Sequence, residues 1–276
     1  MAKDQHAIIT GGSSGIGKAI ALRLAQQGTN VSIISRSQAK LQSARAEIEA
    51  ARKTDTQKVL TVVGDVGDRP QAEQAIKTAL EQLGPPTLLI TSAGIARPGH
   101  FQELPVEAFE QAISTNYLGT LYCIRAVLPV MEQQSTGHIC LISSAAGLIG
   151  LYGYSAYGPS KFAVRGLAES LRAELKPMGI GVSIAYPPDT DTPQLVEENK
   201  TKPAATKQIT ATAKLWQPDE VAQAILAGIQ KNKFEISPGT EIKILTRFHS
   251  LMAPLLNRYF DGFIRKYDYS KDITLG

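Results

Sequence analysis

A tyrosine and a lysine four residues apart, Tyr157 and Lys161, are the pair in this sequence best suited to proton transfer. Pro159 is tolerated only in the first turn of a helix, and Phe162 and Val164 begin an apolar stripe, so the pair is predicted where a helix begins. Residues four apart share a face, so the ammonium should lower the phenol pKa from its usual value of about 10. Such a phenol can protonate a ketone oxygen as hydride arrives. On a solvated helix this spacing also occurs by chance.

Two polar residues elsewhere are candidates for the same site. Ser144 follows an apolar run ending at Ile142, and the carboxyl end of a parallel strand delivers side chains to a ligand, so Ser144 could hold the carbonyl oxygen. Without the tyrosine and lysine nearby, it is better interpreted as an N-cap or turn serine. Asn116 falls inside a long helical pattern, where asparagine is unfavourable, which indicates a local kink, a water held near Lys161, or core packing.

A glycine-rich turn from Thr10 to Gly17 joins the first predicted strand to a helix. It could bring backbone amides and the helix N-terminus to a pyrophosphate, although alone it indicates only a turn that needs positive φ. The second strand ends in Ser35 and Arg36, where an NAD-binding protein would place an acid. Because arginine pairs with a 2′-phosphate, the predicted cofactor is NADPH or NADP. Asp65 suits either an adenine contact or a helix cap.

Short β-branched runs alternate with amphipathic stretches of helical period, which predicts seven strands joined by helical crossovers. Continuously apolar strands are buried on both faces, so the prediction is a doubly wound parallel sheet in a three-layer αβα sandwich. No linker interrupts the pattern before about residue 240. One catalytic domain is therefore predicted for residues 1–240, followed by a C-terminal amphipathic helical segment at 241–276.

The composition excludes several classes of protein. With 43% hydrophobic and 20% charged residues among 276, collagen-like, disordered and disulfide-scaffold classes are out. Cys123 and Cys140 lie in apolar runs, which favours buried free thiols and a reducing compartment. No signal peptide and no apolar stretch of about 18 residues is found, so a soluble, cytoplasmic body is expected. The net charge is +4, and the sequence contains no cluster of lysine and arginine residues interleaved with aromatic residues. No nucleic-acid partner is therefore predicted.

Taken together, the glycine-rich turn, Asn116, Ser144, Tyr157 and Lys161 resemble, in order and spacing, the short-chain dehydrogenase/reductase family over about residues 5–240. The resemblance implies a seven-stranded Rossmann fold. No metal site is predicted. The resemblance also implies that Ser144 orients the carbonyl, Tyr157 transfers the proton, Lys161 lowers the tyrosine pKa and binds the nicotinamide ribose, and Asn116 supports a water relay. Members usually pair through the helices after strands four and five, so a homo-oligomer, a dimer or tetramer, is expected.

The same resemblance implies a set of residues that bind the cofactor. They are Gly11, Ser13, Ser14, Gly15, Ile16, Gly17, Ser35, Arg36, Asp65, Val66, Ala93, Gly94, Tyr157, Lys161, Pro187, Thr190 and Thr192. The chain departs from the family at position 92, where Ser92 stands in place of the usual asparagine before Ala93 and Gly94.

Residues 150–154 and 185–203 are similar to those of one subfamily, the 3-ketodihydrosphingosine reductases. The similarity implies NADPH-dependent reduction of a long-chain keto base in sphingolipid synthesis. That substrate carries an ammonium beside its ketone, so acidic residues in a lid at about 189–215 could supply a counter-charge. The acidic residues of this lid are Asp189, Asp191, Glu197 and Glu198. Each of them can also be interpreted as a solvated surface residue. The alternatives are another lipophilic carbonyl (a 3-oxoacyl thioester, steroid or retinoid) or a dinucleotide-sensing interaction protein without chemistry.

The segment 243–266 carries five basic residues, one acid and an apolar stripe of helical period. Such a helix lies on a membrane surface or packs on a partner subunit, and docking onto its own domain is the plainer alternative. Pro254 is expected to kink it. Peripheral association with the cytoplasmic face of a membrane is the hypothesis that follows.

Overall fold

The structure, a computed structural model, describes residues 5–268 and contains a seven-stranded parallel sheet. The strand order is β3-β2-β1-β4-β5-β6-β7, so the direction of winding reverses between β1 and β4, the position where doubly wound sheets bind ligands. The fold prediction is confirmed. The strands are β1 His6–Thr10, β2 Asn30–Ser35, β3 Val59–Val63, β4 Leu88–Thr91, β5 Gly137–Ile142, β6 Ile180–Ala185 and β7 Glu235–Ile236.

Helices connect the strands and cover both faces of the sheet. The polar insertion predicted after β6 contains two short helices, α7 and α8. The helices are α1 Gly15–Gln26, α2 Gln38–Ala50, α3 Arg69–Leu83, α4 Val106–Ala112, α5 Gly119–Gln134, α6 Tyr157–Leu175, α7 Pro193–Thr201, α8 Ala204–Ala211, α9 Pro218–Gln230 and α10 Thr240–Tyr267. A π-helical turn, Ile113–Leu118, joins α4 to α5.

Two apolar cores lie on opposite faces of the sheet because successive strand residues point to opposite sides. In β1, Ala7 and Ile9 pack with α1, α2 and α9, whereas Ile8 packs with α3, α5 and α6. Both Cys123 and Cys140 are buried and free. The carboxyl ends of the strands are thereby held rigidly at one edge, where the loops that carry the candidate site residues begin.

The C-terminal segment forms one long helix, α10, which contacts α8 and continues through Pro254. Ile242 and Leu245 pack against the domain core, and Phe260 is buried. Part of the predicted segment, residues 269–276, lies outside the described residues. From residue 5 to residue 268, no helix combines the length and apolar character needed to cross a bilayer.

Candidate active site

A cleft of about 430 Å³ opens at the reversal point of the sheet, over the glycine-rich turn. Gly11 has φ of +69°, and a Cβ there would lie 2.8 Å from the Ala93 backbone, so only glycine fits. The N-cap of α1, Ser14, makes no side-chain cap hydrogen bond. The amides of the first turn are therefore available to an anion such as a pyrophosphate.

The basic end of this cleft lies where β2 leads into α2. Ser13 Oγ donates to Ser35 Oγ at 2.9 Å, which joins the glycine-rich turn to the end of β2. The Arg36 side chain is 62% exposed, and its guanidinium lies 3.7 Å from Asp65 Oδ2. Such an exposed pair is weak, so Arg36 can turn to a phosphate. Lys40 also lines the cleft and was missed in the sequence. Arg36 precedes α2 whereas Lys40 lies within it, so no helical spacing linked the two residues.

Most of the predicted cofactor-binding residues line this cleft: Gly11, Ser13, Ser14, Gly15, Ile16, Gly17, Ser35, Arg36, Asp65, Val66, Ala93, Gly94 and Thr192. Ser92 lines it too. Tyr157, Pro187 and Thr190 instead line a smaller neighbouring cavity, and Thr192 borders both. Asp65 Oδ1 accepts from the Gly67 amide at 2.9 Å, so this carboxylate closes a turn whatever else it contacts. That each of these residues touches a dinucleotide stays a prediction.

Lys161 and Asn116 converge on the loop after β4. A Cβ built on Gly94 would lie 3.2 Å from Asn116 Oδ1 and 3.5 Å from Lys161 Nζ. Lys161 Nζ donates to the Ile142 carbonyl at 3.0 Å and lies 5.6 Å from the centre of the Tyr157 ring. Burial lowers the pKa of Lys161 to about 8. The ammonium is thus held close to Gly94, which lines the cleft.

Asn116 lies in the π-helical turn between α4 and α5. This turn is the local distortion of the helix that the sequence predicted. Asn116 is buried, with Oδ1 accepting from the Ile95 amide at 2.8 Å and Nδ2 donating to the Ile95 carbonyl at 3.0 Å. Nδ2 also donates to Ser160 Oγ at 2.8 Å. The side chain therefore ties the loop after β4 to α6, whereas the predicted water relay stays a prediction.

The smaller cavity, of about 120 Å³, contains both predicted groups for the carbonyl oxygen, Ser144 and Tyr157. Ser144 caps the short turn Ala145–Gly147, and its Oγ accepts from the Ala146 amide at 3.2 Å. A hydroxyl retains its proton when it accepts, so Ser144 can cap the turn and still donate to a ligand. The catalytic and turn interpretations of this serine are therefore compatible.

The predicted lowering of the Tyr157 pKa is wrong for this structure. Burial raises the pKa above its usual value, and the negative charge of Glu198 raises it further, against a smaller lowering by a hydrogen bond with Ser144. Burial lowers the pKa of Lys161 only to about 8, so this side chain stays cationic at neutral pH. Tyr157, with its raised pKa, is protonated at neutral pH, the state that a proton donor needs.

A buried carboxylate, Glu198 of α7, lies in the same cavity and was named in the sequence only as one of four lid acids. Its Oε2 accepts from the Tyr154 hydroxyl at 2.7 Å, and its Oε1 accepts from Gln194 Nε2 at 2.8 Å. Gln194 borders both cavities. Gln194 was not predicted, because a polar residue in a lid shows no periodicity that distinguishes inward from outward side chains. Tyr154 belongs to the stretch 150–154 that carried the subfamily similarity, but no role at the site was predicted for it.

Known proteins share both the sequence pattern and the fold of this chain. The sequence pattern of the family described as short chain dehydrogenase matches residues 5–203. The chain is 45% identical over 251 residues to the 3-ketodihydrosphingosine reductase of Mus musculus, covering 91% of this chain and 76% of that protein. It is 44% identical to the 3-dehydrosphinganine reductase of Danio rerio, with the same coverage. Among solved structures, a short-chain dehydrogenase from Sphingobium yanoikuyae in complex with NADPH superposes with a TM-score of 0.77 at 25% identity, covering 99% of this chain and 98% of that one.

Proposed function

This chain belongs to the short-chain dehydrogenase family, and from that premise we propose that it reduces 3-ketodihydrosphingosine to dihydrosphingosine with NADPH, as a step in sphingolipid synthesis. The observation that carries the proposal is the 45% identity, across 91% of the chain, to a protein named for this substrate. The geometry agrees with it, because a dinucleotide cleft adjoins a cavity containing a serine hydroxyl and a phenol.

The cofactor proposal rests on the fit of the cleft to a phosphorylated dinucleotide. The glycine-rich turn leaves room for a pyrophosphate over the N-terminus of α1, where a side chain at Gly11 would collide with the Ala93 backbone. Arg36, directly after β2, and Lys40, in α2, both line the cleft, where they would hold a 2′-phosphate. When bound, NADPH supplies the hydride.

The protein's own groups complete the reduction by holding the carbonyl and supplying a proton. The Ser144 hydroxyl donates to the carbonyl oxygen and fixes its position. The Tyr157 phenol, kept protonated by burial, gives its proton to that oxygen as negative charge develops. Lys161, on the same helix, would stabilise the resulting phenolate and bind the nicotinamide ribose.

A substrate panel tests the proposed substrate. We expect NADPH consumption with 3-ketodihydrosphingosine to show a kcat/KM at least about tenfold above that with a 3-oxoacyl thioester of equal chain length, since only the former carries an ammonium for the lid. Faster turnover of the thioester, a steroid or a retinoid would assign the chain to the alternative lipophilic carbonyls. Absence of turnover with all of them would favour a dinucleotide-sensing protein.

We also propose that α10 attaches the protein to an anionic lipid surface. One face of the helix docks onto its own domain through Ile242, Leu245 and Phe260, so the plainer interpretation holds for that face. A second face is exposed, with Leu251 77% and Leu255 70% accessible; this outer stripe comprises Ile244, Phe248, Leu251, Leu255 and Tyr259. Five basic residues against two acids on this helix complement anionic headgroups.

The variant Phe248→Ser, Leu251→Ser, Leu255→Ser tests the outer stripe without removing the face that packs on the domain. Binding to phosphatidylcholine vesicles containing phosphatidylserine should fall at least about tenfold in a flotation assay, because binding scales with buried apolar area. Met178→Ser, an exposed apolar residue elsewhere, is the matched control. Unchanged vesicle binding would contradict the proposal. If light scattering instead shows a smaller oligomer, the stripe belongs to the expected contact with a second copy of the chain.

A further inference from the structure

We propose that Glu198 binds the ammonium group of the substrate and thereby selects 2-amino ketones over other long-chain ketones. This inference rests on the proposed function and adds to it the residue that recognises the amine. Among the four lid acids, the structure distinguishes Glu198 by the combination of its burial, its neutral hydrogen-bond partners and the cavity that it shares with Ser144 and Tyr157.

Burial separates Glu198 from the other acids of the lid. Glu198 is 7% exposed, whereas Asp191 and Glu197 are exposed to solvent. Asp189 also faces the cavity, but its Oδ2 lies 3.8 Å from the buried ammonium of Lys202, so its charge is already countered. Within residues 5–268, no lysine, arginine or histidine nitrogen lies within 4.0 Å of the Glu198 carboxylate.

The two hydrogen-bond donors that hold Glu198 are both neutral. Tyr154 donates at 2.7 Å and Gln194 at 2.8 Å, one to each carboxylate oxygen. Burial and the neighbouring carboxylate raise the pKa of Tyr154, so it stays a neutral donor. Each carboxylate oxygen retains a further lone pair. Lys161 interacts with this charge only at longer range. A buried carboxylate whose hydrogen-bond donors are all neutral is costly, and a cation entering the cavity offsets that cost.

The cavity brings this carboxylate to the reacting carbonyl. Glu198, Ser144 and Tyr157 line the same space of about 120 Å³. In a 2-amino-3-ketone the nitrogen is on the carbon next to the carbonyl carbon. When the oxygen lies between Ser144 and Tyr157, the ammonium is therefore confined to the same small cavity as Glu198, and a charge-assisted hydrogen bond can form.

Recognition of the amine would also act on the proton donor. The negative charge of Glu198 raises the pKa of Tyr157, second only to burial. A bound ammonium cancels that charge, so the phenol becomes a stronger acid when the correct substrate is present. A ketone without the amine leaves the charge in place and meets a weaker acid.

The test compares wild-type protein with Glu198→Gln, which keeps the shape and one of the two acceptor oxygens but removes the charge. Two substrates are used, 3-ketodihydrosphingosine and the same ketone with hydrogen in place of the amine. For the amino ketone we expect kcat/KM to fall about 10- to 100-fold, mainly through KM. For the other ketone we expect no fall, with kcat unchanged or raised, because the variant removes a charge that opposes ionisation of Tyr157. Asp191→Asn, which removes an exposed lid charge, should alter neither. NADPH titration by fluorescence establishes that each variant folds.

Equal losses on both ketones, or no loss on either, would overturn the role of Glu198. A second measurement needs no variant: a long-chain primary amine should inhibit wild-type protein about tenfold more strongly than the alcohol of equal length, and equal inhibition would also overturn the inference. If wild-type protein reduces neither ketone, the proposed function itself fails and this inference fails with it. If it reduces both without regard to the amine, only the inference fails.

Discussion

Replacing Tyr157 with phenylalanine should lower kcat for ketone reduction by about 10²- to 10⁴-fold, the usual contribution of a positioned proton donor. The ring itself is retained, so its packing against Tyr154, at 5.7 Å between ring centres, should persist. NADPH affinity should therefore change little. Stopped-flow absorbance of NADPH measures the hydride-transfer step, and fluorescence titration measures binding of the cofactor.

The matched control is Tyr186→Phe, which removes the hydroxyl of another buried tyrosine. Within the described part of the chain, that hydroxyl has no hydrogen-bond partner, so its loss should leave turnover unchanged and should not destabilise the fold. Turnover of Tyr157→Phe within about threefold of wild type would show that the proton comes from another group.

Replacing Arg36 with alanine should reduce the preference for NADPH over NADH by about 10- to 100-fold in kcat/KM. A charge-assisted hydrogen bond contributes about 1.5–3 kcal/mol, and only NADPH carries the 2′-phosphate that receives it. The loss also uncovers the Asp65 carboxylate, 3.7 Å away in the present structure, which then repels that phosphate. Initial rates with each cofactor at fixed ketone concentration give the ratio.

Lys40→Ala should weaken the same preference, because Lys40 lines the same end of the cleft. Arg45→Ala is the control, since Arg45 lies on the same helix but pairs with Glu49 at the surface. An unchanged NADPH preference in the Arg36→Ala, Lys40→Ala double variant would remove the argument for a 2′-phosphate site.

Several features of this protein could be predicted from the sequence because they depend on residues that are close together along the chain. The apolar runs and their spacing predicted the seven strands and the layers of helices, since strand and helix periods are local properties. The turn from Thr10 to Gly17 could be predicted from the glycines that precede a helical pattern. That Tyr157 and Lys161 share one helix face could be predicted from the helical period alone, and both residues do lie on α6.

Other features were decided only by the tertiary structure. The pKa of Tyr157 moves opposite to the prediction, because the sign of the shift depends on burial and on Glu198, which is supplied by a separate helix. Lys40 reaches the basic end of the cleft only because α2 packs beside β2. Which face of α10 is buried and which is exposed is decided only by its packing against the folded domain.

Glu197 and Glu198 show the difference most directly. They are adjacent and identical in type, and the sequence offered no reason to separate them. In the structure Glu197 is exposed and pairs with Lys200, whereas Glu198 is buried beside the reacting groups. Burial and electrostatic potential are sums over neighbours from distant parts of the chain, so they exist only after the chain has folded.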